Sequence, residues 1–404
     1  MKYILRQVMI LIVTIAFVGC GSGGDDPFVR VPQEDPSGTV LQGFVANASI
    51  EGLYNSISVS YSPVTSPQNL VPRVFNTDIR FNVNGFAGPN PMLFITDPIQ
   101  LIDYNFPQNN TGLGQMVVET NANLSGIQQT ASFATEPAGR LAVFGLESSI
   151  VSTPVMSVQI KALPSGLRSL GASDFDGKWG YVSMRVNGST TIAELDFASG
   201  LASGMGFSSV TTGLVSSSLT ATSISTYSLN SNGDKLVFED STWFVNTDYE
   251  LAMTGEALGA GSDRLAFLFR PSEDTYVIKG EFDVFQLLVS SINSSINLTG
   301  LAPLTSSEIV RIGKINFADG TASMLSMFGV TQQNVPYQLV ANSSMWRFPA
   351  LEQNFNNDVR LRIMLSKDQK LLFGVDYSND RDARTAMIVG VRRSLACTDI
   401  SFCP

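Results

Sequence analysis

The sequence predicts an all-β fold of tandem antiparallel domains, each a sandwich or an up-and-down barrel, and three observations lead there. First, apolar and polar residues alternate with period two in short runs. Ile57, Val59 and Tyr61 alternate with Ser56, Ser58 and Ser60, and Ile79, Phe81 and Val83 with Arg80, Asn82 and Asn84. The same holds for Val158 and Ile160 around Gln159, for Val182, Met184 and Val186 around Ser183 and Arg185, and for Leu361, Ile363 and Leu365 around Arg362. That spacing sets one face of a strand on a core and the other in water. Second, turn pairs lie between the runs: Asn84-Gly85, Asn187-Gly188, Ser199-Gly200, Asn232-Gly233 and Asp319-Gly320. Third, helical periodicity is confined to Leu351–Leu365, and the end of that stretch alternates like a strand.

Taken in order, the chain opens with Lys2 and Arg6 ahead of an apolar run from Val8 to Val18, interrupted only by Thr14. A charged start, a short apolar middle and a small residue before the cut are the parts of a secretory signal. The run is shorter than the ~20 apolar residues of a spanning helix. It closes on Phe17-Val18-Gly19-Cys20, which resembles the lipobox of bacterial lipoproteins. The resemblance implies cleavage after Gly19 and lipid on the sulfur and amine of Cys20. Several acyl chains anchor more firmly than the single chain that gives only reversible attachment. In such lipoproteins an Asp after the cysteine retains the protein in the inner membrane. Here the residue is Gly21, so the resemblance implies the outer membrane, facing periplasm or cell exterior. Gly21 to Gly38, with Gly-Ser-Gly-Gly, Asp25-Asp26 and prolines 27, 32 and 36, reads as a solvated tether reaching roughly 20–25 Å as a coil.

Composition narrows the chemistry. The chain is 44% hydrophobic and 15% charged, enough to bury real cores. Of its 25 basic residues Lys2 and Arg6 fall in the signal, so 23 face 35 acidic ones, a net charge of −12. That balance disfavours nucleic acid and anionic headgroups as partners of the folded part. Histidine is absent, which removes the commonest general base, the usual catalytic triads and the main zinc ligand. Any metal must be a hard cation held by oxygen, and no metal or cofactor is expected. Cys397 and Cys403, with five residues between them at the C-terminus, read as a disulfide in an exported protein. So small a loop is worth about 2 kcal/mol and keeps the tail from fraying.

Internal repetition sets the domain plan. Ile50-Glu51-Gly52-Leu53-Tyr54, Phe175-Asp176-Gly177-Lys178-Trp179 and Ile278-Lys279-Gly280-Glu281-Phe282 share an apolar residue, a charge, a glycine and an aromatic. Each precedes a phenylalanine hairpin: Phe75-Asn76-Thr77-Asp78, Phe197-Ala198-Ser199-Gly200 and Phe317-Ala318-Asp319-Gly320. Further on a basic residue opens an apolar strand: Arg140-Leu141, Arg264-Leu265 and Lys370-Leu371. First-to-second spacings are 122–125 residues and second-to-third 103–120, in unchanged order. The division is signal 1–19, tether 20–38, three β-modules at 39–163, 164–274 and 275–396, and a clipped tail 397–404. Leu163-Pro164-Ser165-Gly166 links the first two modules; between the second and third, Tyr276 to Val284 reads as one strand bent at Gly280.

Few residues point to a site. Gly177-Lys178-Trp179 with Thr247-Asp248-Tyr249 resembles the G-x-W and T-D-Y signatures of lipocalins, over residues 174–275. That resemblance implies an eight-stranded barrel around an apolar ligand, with Trp179 plugging its closed end. Read from the residues alone, Trp179 is a core anchor near the start of a strand. Asn230, Asn232 and Asp234 sit like the first ligands of a calcium loop, but the glycine is misplaced and Ser241 stands where Glu is needed. Asp380 and Asp382 read as a solvated hairpin tip. No serine lies in Gly-x-Ser-x-Gly. The sequence therefore predicts a lipid-anchored envelope protein that binds an envelope protein or a surface glycan through β-domain loops, without catalysis. The alternatives are a lipocalin-like carrier of an apolar molecule and a hydrolase using paired carboxylates.

Overall fold

The computed structural model describes residues 33–34, 40–41 and 52–392, the last without 64–69, 82–91, 94–97, 106–113, 121–126, 137–138, 147–154, 163–169, 186–188, 210–219, 223, 247, 249, 257–263, 291–309, 328–329, 351–359 and 378–383. A short pair, β1 (Gln33–Glu34) and β2 (Val40–Leu41), precedes three sheets. The first comprises β3 (Gly52–Pro63), β4 (Leu70–Phe81), β5 (Met92–Leu93), β6 (Pro98–Asn105), β7 (Gly114–Thr120), β8 (Ile127–Thr135), β9 (Leu141–Leu146) and β10 (Val155–Lys161). The second comprises β11 (Gly177–Arg185), β12 (Thr190–Ala198), β13 (Leu201–Ser209), β14 (Thr220–Ala221), β15 (Ser225–Leu229), β16 (Leu236–Phe238), β17 (Ser241–Val245), β18 (Leu251–Glu256) and β19 (Arg264–Phe269). The third comprises β20 (Gly280–Ser290), β21 (Val310–Phe317), β22 (Thr321–Met327), β23 (Val330–Pro336), β24 (Gln338–Leu339), β25 (Trp346–Arg347), β26 (Arg360–Leu365), β27 (Leu371–Tyr377) and β28 (Arg384–Arg392).

The second sheet closes on itself. Strands pair antiparallel from β11 round to β19, with β14 and β15 both on β13, and β19 returns to β11. That is an up-and-down barrel, in which the first and last strands pair. The third sheet runs the same way. Its β23 pairs with β22 and its β24 with β25, and only Tyr337 lies between those two strands. The first sheet has the order β4-β3-β10-β9-β8-β7-β6-β5, with first and last long strands again adjacent. The chain is thus all-β in three tandem antiparallel modules.

The repeat glycines open β3, β11 and β20 and pair with Phe81, Phe197 and Phe317. The counterpart of Phe197 in the first module is therefore Phe81 and not Phe75, which lies mid-strand opposite Ser58. Gly177 and Gly280 have φ of 103° and 151°. A Cβ there would meet only the movable guanidinium of Arg270 at 3.2 Å and of Arg392 at 2.9 Å, so it is the positive φ that calls for glycine. The expected continuous strand from Tyr276 to Val284 begins only at Gly280. The chain before it is irregular, with Tyr276 exposed, and Gln369 ties it down by accepting from the Ile278 N–H and donating to the Tyr276 carbonyl.

Both faces of the central strands are buried, where alternation predicted one wet face. Inside the second barrel, Phe197 packs on Tyr227 at 4.8 Å and on Phe238 at 5.1 Å, and Phe238 on Trp243 at 5.9 Å. Inside the third lie Phe282, Phe317, Trp346 and Phe348. The outward residues of all three modules meet in one shared core. Ile57, Val143 and Val158 join Val182, Leu251 and Phe267, and these join Phe285, Leu371 and Phe373. Phe269 stacks on Phe373 at 4.4 Å across the seam between modules two and three.

The packing is cyclic. Strand β18 lies on β3, β4 and β10; β27 lies on β11 and β12; β9 lies on β20 and β21. Each module thus sets its second-last strand against the first two strands of a neighbour, and the third contact closes the ring.

This arrangement places polar residues inside the first module, beside Phe133 and Phe144. Its apolar set, Ile57, Val59, Val158 and Ile160, faces the neighbours, and its serines face its own interior. There the Ser58 hydroxyl donates to Ser157 Oγ at 2.7 Å, Gln159 Nε2 donates to the same oxygen at 2.6 Å, and Ser56 Oγ lies 3.1 Å from it. All four side chains are buried, and Gln159 Oε1 has no partner. Burial of polar groups is tolerated only where hydrogen bonds replace water, and Ser157 is the common acceptor. Ser157→Ala should therefore lower unfolding free energy by about 2–3 kcal/mol, since two buried donors lose their acceptor. Alanine at exposed Ser203 should change it by under ~0.5 kcal/mol, as urea denaturation of both would show.

Candidate functional site

Three equivalent turns meet where the ring closes at one end. They run 136–140, 246–250 and 366–370, and each precedes a second-last strand. The Glu136, Asn246 and Ser366 N–H groups donate to the carbonyls of Leu141, Leu251 and Leu371 at 2.8–2.9 Å. The chain leaving each last strand returns to the same turn: Lys161, Arg270 and Arg392 N–H groups donate to the carbonyls of Arg140, Glu250 and Lys370. Arg140, Glu250 and Lys370 are therefore structural equivalents. Arg264, expected to match Arg140, instead opens the last strand of its module.

Arg140 binds all three modules together. Its guanidinium pairs with Glu136 of its own turn at 3.0 Å, with Glu250 at 3.4 Å and Asp248 at 4.0 Å from the second module, and with Asp368 from the third. Lys367 reaches Glu250 at 3.6 Å, and the Tyr54 hydroxyl donates to the Gly139 carbonyl at 2.7 Å. The Arg140 side chain is 10% exposed and that of Glu136 is fully buried. Burial opposes the charge on Arg140, yet the facing carboxylates of Glu136 and Asp368 raise its pKa further. Burial likewise works against the Asp368 carboxylate. Arg140, the Ser366 hydroxyl and the Lys370 N–H outweigh it and hold the group below the ordinary range. An acid so held stays ionised at neutral pH and cannot donate a proton to a leaving group. The junction is built for cohesion.

The other end of the second barrel carries a smaller charged group. Arg264, 3% exposed, donates to Glu239 at 2.6 Å and to Ser241, and lies near Glu256; the Tyr181 hydroxyl donates to Glu239 at 2.9 Å. Burial and the Glu239 charge push the Tyr181 pKa well up. Glu239 and Asp240, at φ 52° and 59°, form the two-residue turn between β16 and β17 without a glycine. The bonds to Glu239 hold this conformation against the strain an L-residue meets there.

The sequence-derived residues fall as follows. Cys20, Cys397 and Cys403 lie outside the described residues, as do the lipobox, Asp380 and Asp382. Trp179 is buried at one end of the second barrel, donating to the Phe175 carbonyl at 2.6 Å beneath the Arg270 guanidinium at 4.1 Å. Asn230 uses its carbonyl oxygen on the N–H groups of Asp234 and Lys235, which closes a hairpin turn. Among the described residues no group of three or more acids or cysteines is disposed to hold a metal ion. Asp248 of the Thr-Asp-Tyr signature belongs to the Arg140 junction. Sequence reasoning missed Glu136, Glu239, Glu250 and Asp368.

No family model and no curated protein matches the chain. Among solved structures it is similar to isotype 1 transferrin binding protein B from serogroup B Neisseria meningitidis, at 8% identity and a TM-score of 0.25, over 85% of this chain and 76% of that one. It is likewise similar to a double mutant of transferrin binding protein B from Haemophilus parasuis Hp5, at 7% identity and a TM-score of 0.25, over 84% and 75%. At that TM-score the likeness bears on neither fold nor function.

Arg140→Gln leaves a buried carboxylate without its cation and should cost about 3–5 kcal/mol in urea denaturation. For Asp368, a folded pKa below the ordinary 3.8 gives stabilisation that is complete above about that pH and lost as pH falls through the lower folded value. Melts followed below pH 3.8 should show this acid limb, and Asp368→Asn should flatten it.

Proposed function

We propose that the chain is a lipid-anchored binding protein of the bacterial outer envelope, held by Cys20, which engages an envelope protein or surface glycan without catalysis. The observation that carries this reading is the solid interior of the second and third barrels. Phe197, Tyr227, Phe238 and Trp243 occupy the space where a barrel carrier would hold its ligand. Recognition then falls to the outside. At the junction end of the second and third modules the turns between neighbouring strands are short, such as Ser199-Gly200 and 366–370. At the opposite end long connections join the strands, among them 147–154, 210–219 and 291–309. Their sequences are rich in Ser, Thr and Asn with few charges, which suits adaptable hydrogen bonding. A ring locked by ion pairs holds that end as a fixed platform. The Gly21 position favours outer-membrane sorting, and among the described residues no helix is long and apolar enough to cross a membrane.

A photo-crosslinking residue at exposed Arg185, at the end of β11 away from the junction, should trap a partner in intact cells; one at Ser199 should not. Labelled fatty acid should enter the wild-type chain and be lost in Cys20→Ala. An apolar molecule co-purifying at one per chain in native mass spectrometry, with no adduct at either position, overturns the reading in favour of a carrier.

A further inference from the structure

The first barrel has an inner wall unlike those of the other two. Ser56 lies opposite Gln159 and Ser58 opposite Ser157 on β3 and β10, and Phe144 and Phe133 continue the same face on β9 and β8. All six side chains are buried. The polar ones hydrogen-bond among themselves. The Ser58 hydroxyl and Gln159 Nε2 donate to Ser157 Oγ, Ser56 Oγ lies 3.1 Å from that atom, and Gln159 Nε2 lies 3.5 Å from Ser56 Oγ. The set does not close. If Ser157 donates to Ser56, the Ser56 proton finds no acceptor; if Ser56 donates to Ser157, the Ser157 proton finds none. In both cases Gln159 Oε1 accepts nothing. One hydroxyl proton and one amide oxygen are left over side by side, and each is costly to bury without a partner. The second module closes the same wall with apolar groups. It has Tyr181 at the position of Ser56, four residues after the repeat glycine, with Ala266 at that of Ser157 and Leu268 at that of Gln159.

We propose that the interior of the first barrel binds one small neutral molecule bearing hydroxyl groups, a monosaccharide or a polyol ring of that size. A hydroxyl donates and accepts at once, so it completes both members of the pair. Its proton goes to Gln159 Oε1, and its oxygen takes the serine proton left over. An alkyl ligand would leave both groups unmet. A charged one fits no better, because none of the six side chains carries a charge and an ion buried against them would lack a counter-charge. Phe133 and Phe144 offer apolar surface to the C–H groups of a ring, and a few placed polar groups beside aromatic ones are the usual make-up of a small-molecule site. Bulk agrees as well. Serine in place of Tyr181 removes one six-membered ring from this wall. The site is internal, apart from the outer connections that would engage an envelope partner.

Thermal melts of the full chain with D-glucose, D-galactose, N-acetyl-D-glucosamine and myo-inositol test this. At least one of the four should raise Tm by about 2–4 °C at saturation, and native mass spectrometry should then show one such molecule per chain. Glucuronate, a sugar ring with a carboxylate added, should give no shift. Gln159→Leu installs the residue of the second module and removes Oε1, so it should abolish the shift while the ligand-free chain melts no lower than wild type. Gln159→Met, closer in shape to glutamine, should behave alike and decides the matter if the leucine variant does not fold. Ser203→Ala, on the outside of the second barrel, should keep the full shift. No shift with any of the four, an equal shift with glucuronate, or a shift that survives the loss of Gln159 overturns the proposal.

Discussion

One guanidinium is shared by three modules. Arg140 is nearly buried, and a charge in that position is stable only if its attractions exceed what it loses in hydration. Glu136 alone could not meet that condition at a seam, and the structure meets it by bringing Glu250, Asp248 and Asp368 from two other modules. The consequence is geometric. Each turn must sit at one end of its module, directly before the second-last strand, and all three ends must converge. With the ends fixed, the outward faces of β9, β18 and β27 are forced against the first strands of their neighbours. The shared apolar core follows from that contact.

That core explains the unusual distribution of polarity. A lone barrel puts apolar residues inside and polar residues outside. Here the outside of every module is partly an interior, so β19 reads Arg-Leu-Ala-Phe-Leu-Phe with every residue buried. The first module goes further and keeps its apolar face for the neighbours, leaving Ser56, Ser58, Ser157 and Gln159 inside. At the position of Gln159 the second module has Leu268, and at that of Ser157 it has Ala266. That interior still holds Phe133 and Phe144 on the face of Ser157, but its hydroxyls contribute little hydrophobic free energy.

The sequence disclosed the all-β class, the three-fold repetition and the repeat glycines, because period two and backbone constraint are local properties. It misled where tertiary packing decides. Ser56 and Ser58 alternate with Ile57 and Val59 whether the serines face water or a barrel interior, and no local signal separates the two. The junction was hidden for a different reason. A search for a repeated basic residue finds Arg140 and Lys370 but passes over Glu250. Three like charges converging at one point would repel, so a site built from equivalent positions has to vary its charge between copies. Repetition in the sequence is weakest where the repeats touch.

The same logic bears on what the molecule can do. Head-to-tail contacts between similar units either close into a ring or propagate into filaments. Joining three units in one chain and closing them through β9 on β20 and β21 uses up every such surface. Glu136, Glu250 and Asp368 are likewise all engaged with cations, and the two barrel interiors are full. The features that hold the structure together are therefore spent on cohesion. What stays uncommitted in the second and third modules is the end of the strands remote from Arg140, where the connections of those modules are longest. In a protein whose cohesion sits at one end, contacts with other molecules are free to vary at the other, because residues there can change without touching the ion pairs that define the fold.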